Sequence, residues 1–130
     1  MNMVRRIIMK IIVSINPEYV EKILNGEKKF EYRTKAAKED INKIIIYETK
    51  PMMKVVAEVE VLDVIATSPE ELWNQTKNQS GITKSFFDEY FKDRQIAYAY
   101  KLGKVKVYEK PKFLVDFGLR MAPQSFAYVK

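Results

Sequence analysis

The stretch that decides the fold is SINPEYVEKILNGEKKFEYR, residues 14–33. It opens with a helix start, because Asn16 can cap a helix and Pro17 suits its first turn. Asn25 and Gly26 supply a left-handed stop. The apolar residues between these signals recur with helical spacing and form one stripe: Tyr19, Val20, Ile23 and Leu24. The pattern predicts a short amphipathic helix that ends before Gly26.

A strand is predicted directly after this helix. From Lys28 to Arg33, aromatic residues alternate with charged ones, which is typical of a half-buried strand. On a period of two, Glu31 and Arg33 share one face, and Phe30 and Tyr32 share the other. Lys28 lies where the turn joins the strand, so the period does not determine its direction. The segment therefore carries three charged residues close together, two of them on one strand face.

The remaining segments are predicted to be strands and two further helices. The strand-like segments are 10–15, 44–47, 55–65, 95–100, 104–107 and 126–129. Gly103 is a candidate kink between two of them, and Leu62 to Val64 is a candidate change of face or bulge. Ser68 and Thr83 can each cap a helix. The second of these helices carries an aromatic stripe that is predicted to be core: Phe86, Phe87, Tyr90 and Phe91.

This order of elements keeps the helices in two places along the chain instead of placing one helix after each strand. It therefore argues against a doubly wound parallel sheet. The fold class predicted is α+β: a mixed or antiparallel β-barrel with helices packed on the outside. At 130 residues, with 47% apolar and 12% aromatic residues, the chain 1–130 is expected to be a single domain.

The N-terminus is predicted to be neither a signal peptide nor a membrane anchor. Lys10 interrupts the apolar run that follows Arg5 and Arg6, and no small-residue cleavage site comes next. Residues 1–8 are interpreted as a flexible extension. No uncharged apolar stretch approaches the roughly 20 residues that a membrane helix needs. We expect a cytoplasmic protein that does not bind membranes.

The chain contains no cysteine and no histidine. Disulfides, thiolate metal sites and histidine-based catalysis are therefore excluded, and any acid or base must be Lys, Glu, Asp or Tyr. The acidic side chains of Glu58, Glu60 and Asp63 are compatible with a divalent metal site, but ordinary solvent-facing residues of a predicted strand are the better interpretation. We expect no metal and no cofactor.

Positive charge is concentrated in the last part of the chain. The net charge is +6, and residues 95–130 hold seven Lys or Arg against two Asp or Glu. Such a surface suits phosphates, although a solvated face has the same composition. The candidate basic surface consists of Lys104, Lys106, Lys110 and Lys112, which can guide a nucleic-acid backbone.

The pattern Gly-x-Lys-x-x-Glu-x-Arg, at positions 26, 28, 31 and 33, resembles the ASCH domain family, a branch of the PUA-like barrels. The resemblance extends from Met9 onward. It also includes SINPEY at 14–19, YETKP at 47–51, ELW at 71–73 and PQSF at 123–126. It implies a β-barrel with a cleft lined by the motif residues, and a role in RNA binding linked to translation or transcription.

The chemistry of the three motif residues favours a base edge over simple phosphate binding. Arg33 offers a planar fork of donors, and Lys28 offers a point charge for phosphate or a polarised carbonyl. Glu31 accepts hydrogen bonds from exocyclic amines and ring N–H groups but repels phosphate. The same three residues can instead satisfy one another in a structural ion-pair network.

Whether the protein is an enzyme stays open from the sequence, with Lys28 and Glu31 as the catalytic candidates. Some family members resemble amidases of acetylated cytidine that use a lysine at position 28 and a threonine at position 31. Glu31 has no hydroxyl, and we expect its charge to keep Lys28 protonated, against the lowered pKa that a lysine base needs. The stretch Asn78–Ser80, where an acidic partner is expected, has no carboxylate.

Other family members resemble ribonucleases. That chemistry is allowed if Lys28 and Arg33 stabilise a charged phosphorane while Glu31 acts as base.

Further candidates for the ligand cleft end strands near the motif or lie in the C-terminal segment: Ser14, Tyr47, Thr49, Lys50, Gln124 and Ser125. Tyr47 can stack on a base or belong to the core. The sequence thus predicts a protein that binds RNA or a nucleotide-like small molecule. The alternatives are a small nucleoside amidohydrolase or ribonuclease, and a module for protein partners in transcription whose basic face meets an acidic surface. The oligomeric state is not predicted.

Overall fold

The computed structural model describes residues 7–129 and consists of a six-stranded sheet with three α-helices in that part of the chain. The elements in chain order are β1 (Ile8–Ile15), α1 (Pro17–Leu24), β2 (Phe30–Arg33), β3 (Asp40–Glu48), β4 (Lys54–Thr67), α2 (Pro69–Thr76), α3 (Lys84–Tyr90), β5 (Ala97–Lys112) and β6 (Phe126–Val129). Short 3₁₀ turns cover Lys77–Gln79 and Leu114–Phe117.

The sheet is mixed, with the strand order β2-β5-β4-β3-β1-β6. The pair β1 and β3 is parallel, and the other four pairs are antiparallel. The mixed α+β class is confirmed. The described strand pairings leave β2 and β6 as edges, so the sheet does not close and the expected barrel is not confirmed.

The sheet nevertheless curls strongly from β2 toward β1. Three strands lie between these two in the sheet order, yet Arg33 Nη2 on β2 donates a hydrogen bond to the backbone oxygen of Ser14 on β1, at 3.1 Å. Strands twist with a fixed hand, and the twist accumulates over neighbouring strands. The curl brings the edge strand against the carboxyl end of β1, where the candidate site forms.

The helix starts and stops are set by local signals. Ser68 Oγ accepts from the Glu71 N–H and Thr83 Oγ1 accepts from the Phe86 N–H, which confirms both predicted caps. Asn16 occupies the N-cap position of α1, but its side chain does not cap the helix. Its Oδ1 accepts instead from Thr49 Oγ1, at 3.0 Å, because the end of β3 packs close to this turn.

Two apolar clusters fix the helices to the sheet. The first joins α1 to the central strands and includes Val20, Ile23, Ile11, Ile44, Val59 and Tyr100. The second joins α2 and α3 to β2 and the start of β5, and it includes Phe30, Tyr32, Leu72, Phe87 and Phe91. Fully burying a side chain of this size stabilises the fold by roughly 1.5–3 kcal/mol. The first cluster therefore holds α1 on the sheet, and the second holds α2 and α3 against β2.

The strand β5 is longer than the sequence indicated. Two strand segments were expected around a kink at Gly103, but β5 is one strand of 16 residues that runs through this glycine. The pairing with β4 absorbs the irregularity, since the register shifts between Val59 and Val61 and again between Val61 and Asp63. The second shift confirms the predicted bulge. A Cβ at Gly103 would lie 2.9 Å from Leu62 Cδ2, so the missing side chain makes room for the bulged strand.

The predicted N-terminal extension falls mostly outside the described residues. Residues 1–6 are not described, whereas Ile8 is the first residue of β1. In the described part of the chain, no helix combines the length and the apolar character needed to cross a membrane.

Candidate functional site

An open pocket of about 160 Å³ lies where the end of β1 meets α1, β2 and α3. It is lined by the three charged motif residues Lys28, Glu31 and Arg33, and by Ser14. Four aromatic side chains complete most of its wall: Tyr19, Tyr32, Phe86 and Tyr90. The curl of the sheet and the position of α3, both tertiary features, thus bring polar and aromatic groups to one hollow.

Lys28 is the most buried charged residue of the pocket wall, with 3% of its surface exposed. Its Nζ donates a hydrogen bond to the backbone oxygen of Ser80, at 2.9 Å, and lies 4.7 Å from the centroid of the Tyr32 ring. The loop that covers the lysine depends on Gly81, whose φ is +69°. A Cβ at Gly81 would lie 2.5 Å from Lys28 Cβ. The absence of a side chain at Gly81 therefore lets the loop close over the stem of Lys28.

The pKa of Lys28 is lowered from 10.5 to about 8. Burial is the largest cause, since it penalises the charged ammonium, and the positive charges of Arg33 and Lys22 act in the same direction. Glu31 acts in the opposite direction. The expectation that Glu31 would prevent a lowered pKa at Lys28 is wrong, because burial outweighs the attraction and Arg33 pairs with the same carboxylate.

Glu31 and Arg33 form an ion pair in the pocket wall. Arg33 donates to Glu31 Oε2 through Nε, at 3.1 Å, and through Nη2, and Nη2 also reaches the backbone oxygen of Ser14. Glu31 is 6% exposed, and no described residue donates a hydrogen bond to its other oxygen, Oε1. The ion-pair network considered from the sequence thus exists for two of the three motif residues. It leaves one carboxylate oxygen and part of the Lys28 ammonium for a ligand.

The aromatic wall was not identified from the sequence. The stripe on α3 was predicted to be core, and two of its members, Phe87 and Phe91, are buried. The other two turn toward the pocket: Phe86 is 45% exposed, and Tyr90 is half-buried. Phe86 lies 5.6 Å from Tyr19 and 6.2 Å from Tyr90 between ring centroids. The sequence did contain a signal for this wall. The aromatic residues of α3 cover two adjacent faces of the helix, which is a wider arc around the helix axis than a single core-facing stripe needs.

The other candidates for ligand binding lie apart from the pocket, with the exception of Ser14. Ser14 lines it, and its Oγ donates to the backbone oxygen of Pro123, at 2.9 Å. Tyr47 is buried in a further apolar cluster, with Ile12, Ile45 and Val55, and does not line the pocket. Thr49 bonds to Asn16, and three exposed residues lie outside the pocket lining: Lys50, Gln124 and Ser125. The two-residue period of a strand and closeness along the chain do not indicate which strand ends lie together. The curl of the sheet decides this.

Glu58 on β4 is engaged by two neighbouring side chains. Glu58 accepts from Lys43 Nζ and from the Tyr108 hydroxyl, each at 3.0 Å. These contacts with Lys43 and Tyr108 oppose the effect of burial and lower the pKa of Glu58 overall. Within residues 7–129 there is no group of three or more acidic side chains placed to hold a metal ion.

The sequence model of the ASCH domain matches residues 13–109. Two curated proteins of Ureaplasma parvum serovar 3 contain a similar segment of 121 residues, which covers 92% of this chain. They are ATP synthase subunit alpha, 31% identical, and large ribosomal subunit protein uL22, 26% identical. The chain spans only 15% and 39% of their lengths.

Among solved structures, the chain is similar to ASCH from Zymomonas mobilis. The TM-score is 0.85 with 20% identity, over 94% of this chain and 88% of that chain. A single-substitution variant of that protein also has a TM-score of 0.85, with the same 20% identity over 94% of this chain and 91% of that chain. At this identity, the likeness concerns the fold.

Proposed function

The chain belongs to the ASCH domain family, and from this premise we propose that it binds RNA or a nucleotide-like ligand in the pocket at Lys28, Glu31 and Arg33. The observation that carries the proposal is the combination of aromatic walls with a buried lysine and a buried carboxylate in one open pocket. The proposal includes a single domain over residues 1–130, a PUA-like barrel completed by the curl of the sheet, and a cytoplasmic location. The lack of cysteine is compatible with that location.

The dimensions of the pocket suit one ring system. Its volume of about 160 Å³ is below the roughly 300 Å³ at which sites for larger ligands begin. Stacking of one base on an aromatic side chain contributes about 1–3 kcal/mol, and the exposed ring of Phe86 offers such a face. We infer that a base enters the pocket while the sugar and phosphate stay outside.

The polar groups of the pocket favour a base over a phosphate. Lys28 can donate a further hydrogen bond to a carbonyl, and Glu31 Oε1 can accept one from a ring N–H or an exocyclic amine. A phosphate in the same place would meet the negative charge of Glu31. A base that carries both a carbonyl oxygen and an N–H donor is therefore the expected guest.

The relatives give this proposal a biological setting. One similar segment belongs to a protein of the large ribosomal subunit, which is an RNA-rich assembly, and this supports a role linked to translation. The other belongs to a subunit of ATP synthase and gives no support for RNA. A regulatory role in translation or transcription is part of the proposal.

The binding test compares two adjacent lysines of equal charge. We expect Lys28→Ala to weaken the binding of uridine and guanosine at least about tenfold, because the donor to the base carbonyl is removed. Lys29→Ala should bind as the wild type does, because Lys29 does not line the pocket. Isothermal titration measures both. Equal affinity of the wild type and Lys28→Ala for these nucleosides would contradict the proposal.

A small hydrolase is the second candidate, favoured by the lowered pKa of Lys28. With a pKa of about 8, a neutral amine is present near neutral pH and can act as a general base. Because Glu31 offers no hydroxyl, the attacking nucleophile would be a water molecule.

The enzymatic test uses N4-acetylcytidine and short RNAs as substrates. If Lys28 is the base, turnover rises with pH up to the pKa of about 8 and is abolished in Lys28→Ala. Chromatography of the products measures it. Absence of turnover with both substrates removes this candidate and leaves the binding proposal intact.

A further inference from the structure

Four lysines of β5 form an exposed strip that lies outside the pocket: Lys104, Lys106, Lys110 and Lys112. We call these residues the lysine strip. Lys104 and Lys106 are two positions apart and share a strand face. Tyr108 lies on the same face of β5. Its hydroxyl donates to Glu58, and Glu58 lies opposite Lys106 on the neighbouring strand β4.

Lys112, at the far end of the lysine strip, is connected to the face of Lys104 and Lys106 through Tyr108. Lys112 Nζ lies 4.3 Å from the centroid of the Tyr108 ring, although the register of β5 shifts between these residues. Lys110 lies between them along the chain and is exposed. Three of the four lysines, Lys104, Lys106 and Lys112, therefore lie on one face of the sheet.

Carboxylates do not neutralise the lysine strip. No described ion pair includes any of its four members. The carboxylate opposite Lys106, Glu58, is already paired with Lys43 at 3.0 Å. When Lys43 and Lys54 are counted with the nearby acidic residues Glu58, Glu60, Glu109 and Asp116, six positive charges stand against four negative ones. The surface thus retains an excess of positive charge.

Aromatic rings lie next to these lysines. Phe113 directly follows the strip and is 57% exposed, with Lys54 Nζ at 5.5 Å from its centroid. Lys112 also lies 5.9 Å from the ring of Phe117. A positively charged track with accessible aromatic rings is the arrangement by which proteins hold single-stranded nucleic acids: the cations contact the backbone and the rings stack on bases.

We propose that the lysine strip, with Phe113 at its end, is a second RNA-binding surface that holds the backbone of a single strand independently of the pocket. Two residues along a strand span about 7 Å, so Lys104 and Lys106 can contact different phosphates of one backbone. Only the choice of RNA over DNA rests on the proposed function. The attraction to phosphates follows from the charges of the surface itself.

The test compares two variants that lose the same net charge. In the strip variant, all four strip lysines are replaced by alanine. In the control variant, four exposed lysines elsewhere are replaced: Lys35, Lys38, Lys77 and Lys92. Poly(U) affinity is measured by fluorescence anisotropy over a series of salt concentrations, and uridine affinity by isothermal titration. Circular dichroism checks that each variant is folded. A double variant, Lys106→Glu with Lys112→Glu, provides a second test of the strip with fewer substitutions.

The strip variant is expected to bind poly(U) at least about tenfold more weakly, and its salt slope should fall by about 0.7 for each phosphate that the strip no longer neutralises. The control variant should keep both values near those of the wild type. Uridine affinity should not change in the strip variant, which separates this surface from the pocket. If uridine does not bind the wild type while the strip variant still fails to hold poly(U), the proposed function fails and this inference holds.

Three outcomes would overturn the inference. One is an unchanged affinity and salt slope in the strip variant. Another is an equally weakened affinity in the control variant, which would show a general effect of net charge. The third is competition by poly-L-glutamate as effective as competition by RNA, which would indicate an acidic protein partner instead.

Discussion

Replacing Gly81 by alanine is expected to destabilise the fold by about 3 kcal/mol and to abolish ligand binding in the pocket. Two physical causes contribute to the loss of stability. The φ of +69° is unfavourable for any residue with a Cβ, and that Cβ would lie 2.5 Å from the Cβ and 2.7 Å from the Cγ of Lys28. Either the loop or the lysine must move, and both are parts of the pocket wall.

The structure provides a matched control for this substitution. Gly118 has a similar φ of +79°, but no atom lies within 4 Å of the position of its Cβ. Gly118→Ala should therefore cost only the backbone strain, about 1 kcal/mol, and should leave the pocket intact. Urea denaturation measures both free energies of unfolding, and titration with nucleoside measures the pocket. Equal costs for the two variants would show that Gly81 is not needed for the packing over Lys28.

Replacing Lys28 by methionine is expected to remove a pH dependence of stability that the wild type shows. The pKa of Lys28 falls from 10.5 in the unfolded chain to about 8 in the folded protein, mainly through burial. Between these values the unfolded state binds a proton that the folded state does not bind, so raising the pH stabilises the fold. From about pH 7 to pH 9.5 the free energy of unfolding should rise by about 2 kcal/mol in the wild type. The rise should be absent in Lys28→Met.

Urea denaturation at several pH values checks this result, with Lys29→Met as the control that keeps the rise. The window ends near pH 10. There the buried Tyr32, whose pKa is raised to about 12, stays protonated in the folded state while tyrosines of the unfolded chain ionise, and stability falls. A wild type whose stability does not change from neutral pH to pH 9.5 would show that Lys28 is not buried as described. Lys28→Met should also fail to bind nucleosides, because the donor is gone.

The sequence predicted well those features that depend on neighbours along the chain. The caps at Ser68 and Thr83 form as expected, because a cap bond spans only three residues. The alternation of β2 likewise separated Glu31 and Arg33 from Phe30 and Tyr32, and both of these aromatic residues belong to the second apolar cluster. These features require only a local conformation and the period of a strand.

Features that depend on distant contacts were predicted less well. Pairing with β4 on both sides of Gly103 makes β5 one strand, although Gly103 suggested a break. The side chain of Asn16 was expected to cap α1, but the end of β3 supplies Thr49 as its partner. In both cases a partner far away in the sequence provides a hydrogen bond that the local pattern cannot indicate.

By itself, the sequence determined the family, the helix and strand around the motif, and the identity of the three charged residues of the candidate site. Only the tertiary structure decided that Lys28 is buried with a lowered pKa, that Arg33 is bound to Glu31 and Ser14, and that α3 contributes aromatic walls. The physical reason is that burial and electrostatic environment are properties of three-dimensional neighbours. The loop at Ser80, some fifty residues from Lys28 along the chain, closes over this lysine in the fold.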